Sequence, residues 1–333
     1  MKLSVLPLTC AAPLLLAALP SLAAVPEEVT APEVVEAIEG TFGVTPGQRR
    51  NHIKGTCAAG DFVGTAEAAK YSRSPLFSGK RLPVVARFSL SGGNPKAPDT
   101  ARSGRGMALE FRLPKGQTHH ITMLNTPVFG AAFPVTFRDL MIAMRPDPAT
   151  GKPDPEKMKA FKAAHPDSLP QAEYLANNAP PASYATSPFW GIHTFKFIDR
   201  KNKVTLVRWK FVPQDGEQRL SEEELKGAEP NFLEARLMER VAKGPIRWDM
   251  MVSIGQPGDA ENDATVLWPA DRPQFKAGTL TISAASPQKG GECEPINFDP
   301  LQMSDGVAPT QDPILLFRSP AYAVSFAKRL GGL

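Results

Sequence analysis

The sequence predicts an α+β chain: an eight-stranded antiparallel β-barrel with surrounding helices. Strand-like stretches come in two groups of four with few strand–helix–strand alternations, which argues against a parallel sheet. In one of them Thr205, Val207, Trp209 and Phe211 alternate with Leu206, Arg208 and Lys210, so one face is apolar. Proline is abundant, at 34 of 333 residues. That is about twice the usual ~5%, and it breaks long helices and favours strands joined by loops. Apolar residues at 42% and charged residues at 22% are average for a globular protein, which excludes disorder, collagen and coiled coil. The net charge of +4 is too small to suggest nucleic acid as a partner.

Residues 1–23 stand apart from the fold. Lys2 gives a positive start, an apolar run follows to Leu19, and Ser21-Leu22-Ala23 offers small residues for cleavage. This pattern is a secretory signal, so the mature chain is expected to be soluble and periplasmic. The run is short for a span of about 20 residues, and no stable membrane insertion is expected. Cys10 leaves with the signal, and Cys57 and Cys293 remain. An oxidising compartment permits a bridge between them; two separate buried thiols are the alternative. With no CxxC and no neighbouring His pair, zinc is not expected.

Residues 24–333 read as a single domain. Thr30-Ala31-Pro32-Glu33 opens a helix to about residue 42 in the manner of a capping box. Residues 50–63, 82–89, 106–113 and 119–125 form the first strand group. Residues 138–184 read as short helices broken by Pro146, Pro148, Pro153, Pro155, Pro166 and Pro170, a crossover rather than a domain. Residues 192–198, 204–212, 246–254 and 279–283 form the second group. Ser221-Glu222-Glu223-Glu224 caps an inserted helix running to about residue 243. Asp312-Pro313 starts a last helix and Gly331-Gly332 stops it. Pro320 must kink that helix or restart it. A barrel of this size is either filled or holds one small ligand.

The last helix carries the first chemical signal. At about 100° per residue, Tyr322 lies ~40° and Arg329 ~20° from Arg318, so two guanidiniums and a phenol share one face. A guanidinium beside a phenol favours the phenolate, and a ferric ion favours it further. Alone, such a pair is more often a surface arginine beside a core tyrosine. A second set lies upstream. His52 is expected on the first strand, and alternation sends Arg87 and Ser89 to one face of the second. Asn125 ends the fourth strand, with Phe129, Phe133 and Phe137 behind it. A neutral imidazole that moves a proton across a peroxide, a Ser that holds its other nitrogen and an Asn that donates to the peroxide would suit an apolar pocket in the barrel.

Taken together, these segments resemble the haem catalases, most closely the short exported catalase-related peroxidases. The resemblance is carried by Arg49-Arg50-Asn51-His52-Ile53-Lys54-Gly55, Val85-Ala86-Arg87-Phe88-Ser89, Ala101-Arg102-Ser103-Gly104-Arg105-Gly106-Met107-Ala108, Leu124-Asn125-Thr126-Pro127-Val128-Phe129, Trp268-Pro269, Asn297-Phe298-Asp299-Pro300 and Leu316-Phe317-Arg318-Ser319-Pro320-Ala321-Tyr322, in the family's order. It implies a barrel of the haem catalase type and a ferric haem b with axial tyrosinate from Tyr322. His52 would be the distal histidine, Asn125 the distal asparagine, and Ser89 the serine that orients the imidazole. Arg318 would keep the phenolate charged. Arg49, Arg87 and Arg329 would pair with the haem propionates, and Phe129 would lie against the cofactor.

Departures from the family's longer members also matter. Ser91 stands where they usually place a channel valine, and Phe326 replaces a histidine near the propionates. The C-terminal helical domain, long N-terminal arm and dinucleotide pocket have no counterpart. The expectation is therefore a monomer or dimer rather than an arm-exchanged tetramer, with a wider route to the haem. A peroxidase using a peroxide substrate and a small organic reductant, with weak catalase activity, follows from that openness. A haem-dependent fatty-acid hydroperoxide isomerase is the alternative. A non-enzymatic haem carrier would not need the distal pair His52 and Asn125. His193 reads as a strand histidine rather than a second ligand, and Gly104-Arg105-Gly106 as a turn.

Overall fold

The computed structural model describes residues 28–333; the expected signal and Cys10 lie outside the described residues. Helix α1 (Ala31–Phe42) begins at the expected capping box, in which the Thr30 N–H donates to Glu33 Oε2 at 2.7 Å. The first strand group follows as β1 (Gly55–Gly64), β2 (Arg81–Leu90), β3 (Arg105–Arg112) and β4 (Thr118–Leu124), with one helical turn, α2 (Ala68–Tyr71), between β1 and β2. The crossover holds α3 (Pro134–Ala143), α4 (Pro155–Ala164) and α5 (Leu169–Asn177), each with a proline in its first turn, where the missing N–H has no partner to lose.

The second group is β5 (Phe189–Ile198), β6 (Val204–Pro213), β7 (Ile246–Ile254) and β8 (Gln274–Pro287). Between β6 and β7 the sequence predicts one helix. The structure has two, α6 (Glu222–Gly227) and α7 (Phe232–Ala242), because Pro230 disfavours helix at the residue before it. A short β9 (Val307–Pro309), not foreseen, pairs with β5. Helix α8 (Pro313–Leu330) runs through Pro320 without a break.

The sheet order is β4-β3-β2-β1-β8-β7-β6-β5-β9, and every neighbouring pair is antiparallel. Leu124 of β4 pairs with Trp190 of β5, which closes the first eight strands into a barrel. Its interior is full. Phe62, Phe88, Phe111, Phe189, Phe197, Phe211 and Trp248 are all fully buried, and Phe62 meets Phe111 edge to face at 5.3 Å. The expected site inside the barrel is therefore corrected: Phe88 takes the inward position on β2, and alternation turns Arg87 and Ser89 to the outer wall.

Helices α1, α3 and α8 cover that outer wall. Val34, Ala37, Ile38 and Met141 pack with Phe137, Leu140 and Phe317 to join them. Glu39 of α1 adds ion pairs to Arg50 (2.5 Å) and to Lys328 of α8 (2.7 Å). Cys57 of β1 is bridged to Cys293, with Cα atoms 5.3 Å apart and both residues buried. Among the described residues no helix is long and apolar enough to cross a membrane.

Candidate active site

Between the outer wall and the covering helices lies a cavity of about 740 Å³. It is walled by β2, β3 and β4, by α1 and α3, and by one face of α8, and it extends to α4 and α5. His52, Ser89, Arg49, Arg87, Phe129, Arg318 and Tyr322 all line it. Arg329 does not; its guanidinium lies over Phe326 at 5.0 Å. Phe129 stacks on Phe137 at 5.7 Å, whereas Phe133 is 41% exposed and does not line the cavity.

His52 precedes β1 rather than lying on it, and its backbone is left-handed with φ 52°. For a residue with a β-carbon this conformation is held only where neighbours insist on it. Three hydrogen bonds do so here. The His52 N–H donates to Asn51 Oδ1 at 2.8 Å, the Gly92 N–H donates to the same oxygen at 2.7 Å, and Arg87 Nη2 donates to the His52 carbonyl at 2.5 Å. The imidazole Nδ1 lies 3.0 Å from Ser89 Oγ. With Nδ1–H donating to that hydroxyl, the Nε2 lone pair is left without a protein partner. A β-carbon at Gly106 would come 2.9 Å from Ser89 Oγ and 3.1 Å from the imidazole, so this strand glycine makes room for the ring. The sequence places Gly106 both at the start of a strand and in the turn Gly104-Arg105-Gly106; the strand assignment holds.

Burial, then the charges of Arg87, Arg318 and Arg49, push the His52 imidazole down from 6.5 to about 3. Buried His119, bonded to Ser304, is also pushed down to about 3, chiefly by burial. In the unfolded chain both take a proton near pH 6.5, and in the folded chain they do not. Stability is therefore full above that pH and falls as acid is added, by up to ~1.4 kcal/mol per pH unit for each histidine, until the folded groups titrate near 3. Denaturant midpoints should fall steadily between about pH 6.5 and pH 4; a flat profile there contradicts the assignment.

On the opposite wall Arg318 Nη2 donates to Tyr322 Oη at 2.6 Å and to Thr122 Oγ1 at 2.8 Å. Arg318 Nη1 lies 3.2 Å from His193 Nε2, and His193 Nδ1 lies 2.7 Å from Asp312 Oδ2. A guanidinium can only donate, so Nε2 accepts and the ring proton sits on Nδ1, toward Asp312. The other Asp312 oxygen accepts the Ile314 and Leu315 N–H groups and caps α8. One carboxylate thus fixes both the helix that carries Tyr322 and the histidine that braces Arg318. A strand histidine is what the sequence predicts at His193; its role as a brace for Arg318 is not legible there. Its partners are 119 and 125 residues away, beyond any local signal.

The expected place of Asn125 is corrected. Leu124, paired with Gly106, lines the cavity; Asn125 is not on its wall and is 5% exposed. Asn125 Oδ1 accepts the Arg105 N–H at 2.6 Å, and the Asn125 N–H donates to the Arg105 carbonyl at 2.8 Å. Alternation explains the difference: Thr122 and Leu124 face the cavity, so the next residue turns the other way. Asn125→Ala should cost about 1–3 kcal/mol of stability by orphaning a buried N–H. It should leave peroxide turnover far from the ~100-fold loss expected of a proton-transfer group. Denaturation and steady-state assays of the one variant check both halves.

The cationic end of the cavity completes the set. Arg49 Nη2 donates to the carbonyls of Ile296 (2.7 Å) and Glu294 (3.0 Å), and Arg87 is held by the Gln288 amide oxygen. Burial, then Arg87 and Arg329, hold the Arg49 guanidinium far below its usual range. Such crowded cations call for an anionic ligand.

The catalase family model matches residues 45–332. The chain belongs to the catalase family. It is 60% identical to a catalase-related peroxidase of Synechococcus elongatus over 89% of this chain and 88% of that one. A catalase-related peroxidase of Mycolicibacterium paratuberculosis is 35% identical over 89% and 93%. A Schizosaccharomyces pombe catalase is 30% identical over 85% of this chain but only 58% of its own length. The fold superposes on a solved bacterial catalase with a TM-score of 0.78 and 28% identity, covering 86% of this chain and 58% of that chain. Haem is the cofactor typical of catalases, and the residues present fit it. Apolar walls from Val35, Ile38, Leu124, Phe129, Phe137 and Phe317 suit a flat macrocycle, Tyr322 offers an oxygen donor, and the arginines suit carboxylate side arms.

Proposed function

We propose that this chain is a haem-dependent peroxidase that reduces hydrogen peroxide or small organic peroxides with organic electron donors, and dismutates peroxide only weakly. Membership of the catalase family makes it an oxidoreductase acting on peroxide. The observation that carries the reading is the pairing, across one cavity, of a neutral buried imidazole with an arginine-braced phenol. The cofactor would be haem b, with Tyr322 as axial tyrosinate. Bound there, its iron supplies the redox chemistry of peroxide cleavage.

The protein's own part is proton handling and placement. With the cofactor in place, His52 Nε2 would accept a proton from the bound peroxide and hand it to the departing oxygen, which would leave as water or alcohol. Ser89 Oγ accepts from Nδ1–H in the tautomer that leaves the Nε2 lone pair able to take a proton. Arg318 places a permanent positive charge against the oxygen of Tyr322. Arg49 and Arg87 would hold the propionates. The overall balance is ROOH plus two donors AH giving ROH, water and two donor radicals. Two features favour organic donors over a second peroxide: Ser91 lines the cavity, and Leu124 rather than Asn125 takes the wall position opposite Gly106.

Oxygen release and oxidation of a phenolic dye should be measured in the same holoprotein preparation. Dye oxidation is expected to dominate, and predominant oxygen release sinks the proposal. Export to the periplasm and a monomeric or dimeric state are part of the same proposal; cell fractionation and light scattering test them.

A further inference from the structure

The bridge Cys57–Cys293 sits beside the residues that hold the cationic end of the cavity. After β8 ends at Pro287, the chain runs to β9 without a regular element among the described residues. The first part of this segment makes contacts at both arginines. Gln288 Oε1 accepts from Arg87 Nε at 2.8 Å, and Gln288 Nε2 donates to the Ile53 carbonyl at 3.3 Å, next to His52. The carbonyls of Glu294 and Ile296 accept from Arg49 Nη2. The bridge lies between these two sets of contacts and ties the segment to β1, the strand that also pairs with β2 and so with Arg87. The packing there is close: a β-carbon on Gly291 would come 2.7 Å from Cys57 Sγ.

We infer that the disulfide is a positioning element for the anion-binding arginines, so that breaking it loosens the hold on the cofactor's carboxylates while leaving the barrel folded. The barrel core does not depend on the bridge: Cys57, Cys293, Val85 and Phe298 form a small cluster of their own on the outer wall. The acceptors of Arg49 are backbone carbonyls, so their direction depends on the path of the segment rather than on any side chain. Once that path is free, Arg49 has no carboxylate bonded to it that would keep it in place. This inference rests on the haem reading above.

The test compares wild-type holoprotein with the pair Cys57→Ala, Cys293→Ala. The readout is the rate at which haem passes to excess apomyoglobin, followed by absorbance. Release should quicken about tenfold, the equivalent of one charge-assisted hydrogen bond. Repeating both measurements with haem dimethyl ester, whose carboxylates are neutral, should erase most of the difference between the two proteins. A purely structural role for the bridge would keep the difference with either cofactor, and that result overturns the inference, as does unchanged release. If the double alanine chain does not fold, the volume-keeping pair Cys57→Val, Cys293→Ala is read in its place. Failure of both to fold makes the bridge a folding element and equally overturns the inference. Should wild type take up no haem at all, the haem reading fails first, which is a distinguishable outcome.

Discussion

Replacing His52 by alanine should lower the rate of peroxide cleavage by about 10²–10⁴-fold, the range for losing a positioned proton-transfer group. The expectation rests on three features of the site. The imidazole is kept neutral because its conjugate acid is pushed down to about 3, so the base is available throughout the neutral range. Ser89 takes one ring nitrogen and leaves the other without a partner. The left-handed backbone at His52 is bonded on both sides of the peptide, so the ring is placed before substrate arrives. Stopped-flow measurement of the peroxide reaction isolates this step from later donor oxidation. The haem content of the variant should match wild type, because His52 is not the proposed ligand. A loss smaller than about tenfold would mean that another group moves the proton.

Tyr322→Phe should abolish the oxygen ligand and with it stable iron-porphyrin binding. The change removes one atom from a side chain whose oxygen accepts a 2.6 Å hydrogen bond from Arg318. Without that oxygen the Arg318 guanidinium faces an apolar ring edge, and no second anionic oxygen on α8 replaces it. Affinity for haem should fall by at least ~100-fold, the upper end of what merely disturbing a ligand's support costs. Titration of the apoprotein with haem, read by absorption, gives the stoichiometry and the spectrum together. A variant that binds one haem with the wild-type spectrum would remove Tyr322 from the ligand position.

Much of this could be read from the sequence because the signals were local. The Thr30 and Ser221 capping boxes, the alternation of Thr205 to Phe211 and the Asp312-Pro313 helix start each depend on residues a few positions apart, and each is where it was expected. Strand parity also placed Arg87 and Ser89 together. Three things resisted. The first was whether the barrel was filled or hollow, which depends on volumes contributed by strands far apart in sequence. The second was Asn125, where a shift of one residue along a strand reverses the face and replaces an amide with Leu124. The third was the brace of His193 and Asp312 behind Arg318, which exists only after β5 and α8 have come together. In each case the sequence held the right residue types, and the three-dimensional closure of the sheet decided what they touched.

The aromatic filling of the barrel bears on how the protein matures. The rings that plug it need nothing from the crevice outside, so acquiring the native shape and acquiring the pigment are separable events. A chain can set its scaffold while still colourless and take up a porphyrin afterwards.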